Sequence, residues 1–146
     1  MIKKMIVEQR AKDIYRNVFD CRGRDFHVSE HKSLLYERNY CGVYGWIVGY
    51  GEPPSKHIDV FGLLEGDYEL GDELDIKIIG IFIRNDKDNK IIGVQVDRLE
   101  DDFFELSIKE INMMKNIYPK IRDGEGWFGK EKAIEYLRMF NYKEEC

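Results

Sequence analysis

From Gly42 to Val96 the chain is dense in Val, Ile, Phe and Tyr, and Gly, Pro, Asp and Asn interrupt it at regular intervals. β-Branched and aromatic runs bounded by turn formers read as successive antiparallel strands. The predicted strands are Tyr44 to Val48, Ile58 to Leu64, Glu73 to Arg84 and Lys90 to Val96, with the polar run Asn85 to Asn89 as the hairpin tip between the last two. Short strands in succession without intervening helices suggest a small barrel.

After Asp102 the period changes. Phe103, Leu106, Ile111, Met114, Ile117 and Tyr118 recur at three- and four-residue spacing and stop at Pro119, which predicts an amphipathic helix. A second helix is predicted from about Lys130 to Tyr142, with Ala133, Ile134, Leu137 and Phe140 on its inner face. At the other end, Ile6, Val7, Ile14, Tyr15, Val18 and Phe19 are closer to a helical stripe than to alternation, so an N-terminal helix is expected before the turn at Gly23.

The 146 residues, 43% of them hydrophobic, suffice for one core and are too few for two ordinary domains, so one domain over residues 1–146 is expected. A net charge of -5 provides no global basic field for nucleic acid or an anionic membrane. No apolar run approaches the ~20 residues that span a bilayer. The start Met1-Ile-Lys-Lys-Met-Ile lacks the apolar region of a signal peptide, and a cytoplasmic protein is expected. Cys21, Cys41 and Cys146 are odd in number and far apart, so reduced thiols are expected.

Three segments, taken in order, bear on function. Tyr44-Gly-Trp-Ile is followed fifteen positions later by Asp59-Val-Phe-Gly-Leu. Then come Leu70-Gly-Asp-Glu-Leu and Ile79-Gly-Ile-Phe-Ile-Arg-Asn-Asp-Lys-Asp-Asn-Lys-Ile-Ile-Gly-Val. Tyr118-Pro-Lys120 and Gly124-Glu-Gly-Trp127, with Ala133 beyond, complete the set. In this order and at these separations the chain from Tyr44 to Phe140 resembles the soluble family I inorganic pyrophosphatases. Residues 1–30 are divergent, because the family's early glutamates and lysine have no clear counterpart there.

The resemblance implies an α+β fold, a five-stranded antiparallel barrel of the oligonucleotide/oligosaccharide-binding type flanked by two C-terminal helices. It implies magnesium held by Asp59, Asp86 and Asp88, with Lys90, Tyr118, Lys120, Tyr44 and Lys32 on the substrate. Such chemistry needs carboxylates, since a densely charged diphosphate must be neutralised by divalent metal that also acidifies the attacking water. Lysines, arginines and tyrosines then hold the outer phosphate oxygens. The family also commonly assembles, which makes a homo-oligomer compatible with the resemblance, although the sequence itself fixes no oligomeric state.

The acidic loop departs from this pattern. Counted without gaps back from Asp59, its other two aspartates fall at Pro54 and Lys56, neither of which binds magnesium. Lys56 also reverses a charge, worth ~3 kcal/mol of repulsion per unit of metal charge at about 5 Å and an effective dielectric near 20. No catalytic base is assigned. The hairpin is short as well, leaving Asp86 and Asp88 two residues apart.

Structural roles compete with each assignment. Asp86 and Asp88 are ordinary turn residues, and Tyr44 and Tyr118 suit half-buried positions in a core. His27, His31 and His57 show no ligand spacing and read as surface histidines. Two functions follow: a weak magnesium-dependent hydrolase of diphosphate, or a catalytically degenerate relative that binds a phosphorylated ligand or a protein partner. A single-stranded nucleic-acid barrel suits the fold but not the charge.

Overall fold

The computed structural model describes residues 1–140. Its strands are β1 (Ile2–Arg10), β2 (Tyr15–Asp20), β3 (Asp25–Lys32), β4 (Val43–Ile47), β5 (Asp59–Leu63), β6 (Glu73–Ile83), β7 (Lys90–Val94) and β8 (Gly126–Gly129). Its helices are α1 (Leu34–Glu37), α2 (Ile108–Lys115) and α3 (Lys130–Met139), and Phe103–Glu105 form a 3-10 turn. The sheet runs β1-β4-β5-β7-β6, and β6 returns to pair with β1, which closes a five-stranded barrel. β8 adds to the outer part of β6, and β2 and β3 form a separate hairpin.

The four strands expected between Gly42 and Val96 are β4 to β7. All the barrel pairings are antiparallel except β5 with β7, which are parallel because the chain crosses over through β6 between them. The long β6 serves three partners. Its register slips between Ile78 and Gly80, a bulge that bends the strand so that it meets β1 at one end and β7 and β8 along the other. Gly80 has a second role there: a Cβ would stand 2.7 Å from both Phe103 Cβ and the Phe128 carbonyl, so only glycine lets β8 and the 3-10 turn approach.

Residues 6–19 are not a helix. They form the second half of β1, a turn and most of β2. The inward positions of β1 are Met5, Val7 and Gln9, a true alternation whose last member is polar. Gln9 is buried because its side chain takes over backbone pairing: Nε2 donates to the Asp13 and Tyr15 carbonyls and Oε1 accepts from the Asn17 amide. Counting only apolar residues hid that alternation.

Two packed regions hold the fold. All five barrel strands contribute to the first, including Met5, Val43, Val60, Ile76 and Ile91, and Ala133 and Leu137 of α3 pack against it. The second lies on the other face of β5, β6 and β7, where Phe61, Phe82 and Ile92 meet Phe103, Met114, Ile117 and Trp127. With both faces covered, β5 and β7 are buried along their whole length and read as continuous apolar runs. The helix expected between Asp102 and Pro119 is divided into the 3-10 turn and α2, which Ser107 starts with a full capping box. α3 begins where expected, and Tyr142 lies outside the described residues.

Cys41 is a free, exposed thiol. Cys21 is disulfide-bonded, which corrects the expectation of three reduced cysteines. Separation along the sequence sets no limit on whether a fold brings two sulfurs together. Cys146 lies outside the described residues. Among those residues no helix is long and apolar enough to cross a membrane.

Candidate functional site

Asp59 opens β5 and Lys90 opens β7, and the parallel register sets the two side by side. Both are buried, with 7% and 5% of their surface exposed. Lys90 Nζ lies 2.7 Å from Asp59 Oδ2, 3.0 Å from Tyr44 Oη and 3.1 Å from Asp88 Oδ2. An ammonium has three N–H donors, so these three oxygens satisfy it.

The second oxygen of Asp59 is occupied too. His57 Nε2 lies 2.8 Å from Asp59 Oδ1, and its Nδ1 lies 2.7 Å from the Ser55 carbonyl. Both ring nitrogens face acceptors, which favours the doubly protonated imidazolium. Burial works against that charge, yet the bonds to Asp59 and Ser55 raise the His57 pKa overall. Burial also opposes the Asp59 carboxylate, but the His57 bond and the Lys90 charge hold it well below the usual range. Glu8 on β1 has no such partner among the described residues. Burial, with the Asp59 charge next, pushes its carboxyl up to about 7.

Two clefts meet around this network. The larger, about 480 Å³, is lined by Glu8, Arg16, Lys32, Arg84, Lys90 and Tyr118 among others, with Leu34 and Leu35 forming an apolar side. The smaller, about 370 Å³, is lined by Pro54, Lys56, His57, Asp59, Asp86 and Asp88. Asp88 borders both.

Of the residues singled out in the sequence, Asp59, Asp88, Lys90 and Tyr44 are joined by direct hydrogen bonds. Asp86 is exposed at the hairpin tip, where its Oδ1 accepts from the Asp88 amide. Tyr118 and Lys32 line the larger cleft; Lys120 is exposed and lines neither. Three residues at the site were not anticipated: His57 in the hydrogen-bonded network, and Glu8 and Arg84 in the lining of the larger cleft. His57 stands two before Asp59, a spacing that puts alternate residues on one side of an extended chain, and this was the available signal. Glu8 was hidden by the misread strand.

The donor set in this arrangement does not fit a magnesium ion. Magnesium takes near-octahedral oxygen ligands, but both oxygens of Asp59 and one of Asp88 are held by protein cations, and Lys56 and Pro54 stand in the loop beside them. Among the described residues, the group of three metal-capable side chains with ligand atoms within 4.8 Å of one another is Asp20, Asp25 and His27. It sits at the solvent-exposed turn between β2 and β3, outside the lining of both clefts.

No family model and no curated protein sequence matches the chain. Solved structures do. An inorganic pyrophosphatase from Neisseria gonorrhoeae superposes with a TM-score of 0.74 at 18% identity, over 95% of this chain and 88% of that one. One from Ehrlichia chaffeensis gives 0.73 at 16% identity, over 96% and 93%. One from Thermus thermophilus gives 0.67 at 18% identity, over 95% and 88%. The chain therefore has the fold of the soluble inorganic pyrophosphatases, in a divergent sequence.

Proposed function

We propose that this protein binds a small phosphorylated anion, diphosphate being the default, through its own cationic side chains, and that its magnesium-dependent hydrolysis is weak. The observation that supports this reading above all is the Lys90 ammonium, which bonds to Asp59 and Asp88 together. Those carboxylates are the ones a metal would use, and each already answers a protein charge. An anion entering the larger cleft meets Arg16, Lys32 and Arg84 directly.

A second reading, a magnesium-dependent diphosphatase, is favoured by one fact: Asp59, Asp86 and Asp88 line a single cleft. Phosphate release from diphosphate, followed with and without millimolar magnesium, separates the two. Slow or absent release that magnesium does not accelerate, together with diphosphate binding in a metal chelator, supports direct anion binding. Fast magnesium-dependent turnover overturns it.

A further inference from the structure

Arg84 is the cation of the larger cleft that is fixed in place while its bonding is left unfinished. It follows the last residue of β6, and the base of its hairpin is pinned: its amide donates to Asn89 Oδ1 at 2.9 Å and the Asn85 amide to Glu125 Oε2 at 3.2 Å. The guanidinium carbon lies 5.1 Å from the centroid of the Tyr118 ring, which in turn stacks on Phe82 at 4.6 Å with the planes 4° apart. The guanidinium thus rests over a fixed aromatic ring, a cation–π support that restricts an arginine presented to an anion.

Its five donors nevertheless make no hydrogen bond among the described residues. The nearest carboxylates, Asp86 and Asp88, are each 3.7 Å away, beyond hydrogen-bond distance. Both are engaged elsewhere, Asp86 with a backbone amide and Asp88 with Lys90. Arg84 Nε is buried and has no hydrogen-bond partner among the described residues. Two arginines outside this cleft differ: Arg98 makes four bonds to Glu100 and Glu110, and Arg10 bonds Asp13 through two of its side-chain nitrogens. Lys90, the neighbouring cation, has no donor left over.

We infer that Arg84 is the primary anchor for the anion in this cleft, receiving phosphoryl oxygens on the terminal nitrogens of its guanidinium without a bridging metal. Arg16 and Lys32, on the opposing β2–β3 hairpin, have no hydrogen-bond or ion-pair partner among the described residues and complete the positive lining. This rests on the anion-binding reading above and goes beyond it by naming the residue that confers affinity. Lys90 serves to neutralise Asp59 and Asp88, which would otherwise repel the ligand.

The test is calorimetric titration of the full chain with inorganic diphosphate, and with inorganic phosphate, in the presence of a chelator. Arg84→Gln is expected to weaken diphosphate binding at least ~10-fold, the scale of a lost charge-assisted bidentate contact. Arg84→Lys, which keeps the charge but not the fork, should recover only part of it. Arg138→Gln, on the exposed side of α3, controls for net charge and should bind as the wild type does. Thermal melts of each variant separate binding from folding, and Arg84→Lys carries the comparison if Arg84→Gln does not fold. Metal-free binding that Arg84→Gln and Arg84→Lys leave unchanged overturns the role of Arg84 and leaves the anion-binding reading standing. Absence of metal-free binding in the wild type overturns both.

Discussion

Asp59 and Lys90 are register partners on the barrel's parallel strand pair, and their side chains meet at 2.7 Å in a nearly dry position. The topology makes this contact. An antiparallel neighbour of β5 would have brought the far end of its strand beside Asp59, whereas the crossover through β6 aligns the beginnings of β5 and β7. The result places a cation against the carboxylate that the sequence marks as the best metal ligand.

Burial makes that pair sensitive to the loss of either member. Asp59→Asn leaves the Lys90 ammonium buried against a neutral amide, and truncating one partner of a buried pair costs about 3–5 kcal/mol. Urea unfolding should show that loss. The double variant Asp59→Asn with Lys90→Met, which removes the stranded charge, is expected to be more stable than Asp59→Asn alone. Equal stabilities would mean that the two charges are not coupled.

Removing only the lysine should have a different effect. Lys90→Met frees Asp59 Oδ2 and Asp88 Oδ2, restoring two unneutralised carboxylate oxygens at the junction of the clefts. Manganese, titrated calorimetrically, is expected to bind this variant at least ~10-fold more tightly than the wild type, a small share of the Coulomb energy that a nearby unit charge contributes. A folded variant that binds manganese no better would show that Lys90 is not what keeps the metal out.

Glu8 should give the protein an unusual pH dependence. Its carboxyl is raised from 4.5 to about 7 by burial and by the Asp59 charge, so the folded chain holds a proton that the unfolded chain has already released in that interval. Where the folded state binds more protons, stability falls as pH rises. The melting temperature is therefore expected to drop between about pH 4.5 and about pH 7. Glu8→Gln should flatten that slope and stabilise the protein at the upper end by on the order of 1 kcal/mol, allowing for solvent at its half-buried position. A variant as pH-sensitive as the wild type would remove Glu8 as the cause.

Much of the fold was legible because the residues from Gly42 to Val96 obey local rules: β-branched runs, turn formers between them and a polar hairpin tip. The segment before Gly42 follows no such rule. Gln9 and Asn17 are buried polar residues whose places are fixed by bonds to each other and to a turn, and that information is not local. For the site, resemblance pointed to Asp59, Asp88, Lys90 and Tyr44, which the barrel brings together. Nothing in the sequence said that Lys90 would use all its donors on neighbours, nor that Arg84 would use none. Both depend on distances set by strand register, which residue types alone do not encode.

The acidic loop offers the sharpest test of what this site has lost. Pro54 and Lys56 are exposed and line the smaller cleft with Asp59, Asp86 and Asp88, and the Lys56 ammonium rests 4.9 Å from the Phe140 ring rather than on a carboxylate. Replacing them should leave the core intact. Pro54→Asp with Lys56→Asp adds two carboxylates and removes one cation, and the new oxygens need no release of Asp59 from Lys90 to act as ligands. The double variant is expected to bind magnesium at least ~10-fold more tightly and to gain at least ~10-fold in magnesium-dependent phosphate release, a modest claim for a positioned base worth 10²–10⁴ in rate. Magnesium calorimetry and phosphate release, run on both proteins, check the two quantities separately. Tighter binding without faster release would mean that the carboxylates return as ligands while no base stands in reach of the water. A normally folded double variant with no gain in either would show that Pro54 and Lys56 do not stand where the carboxylates of an acidic loop belong.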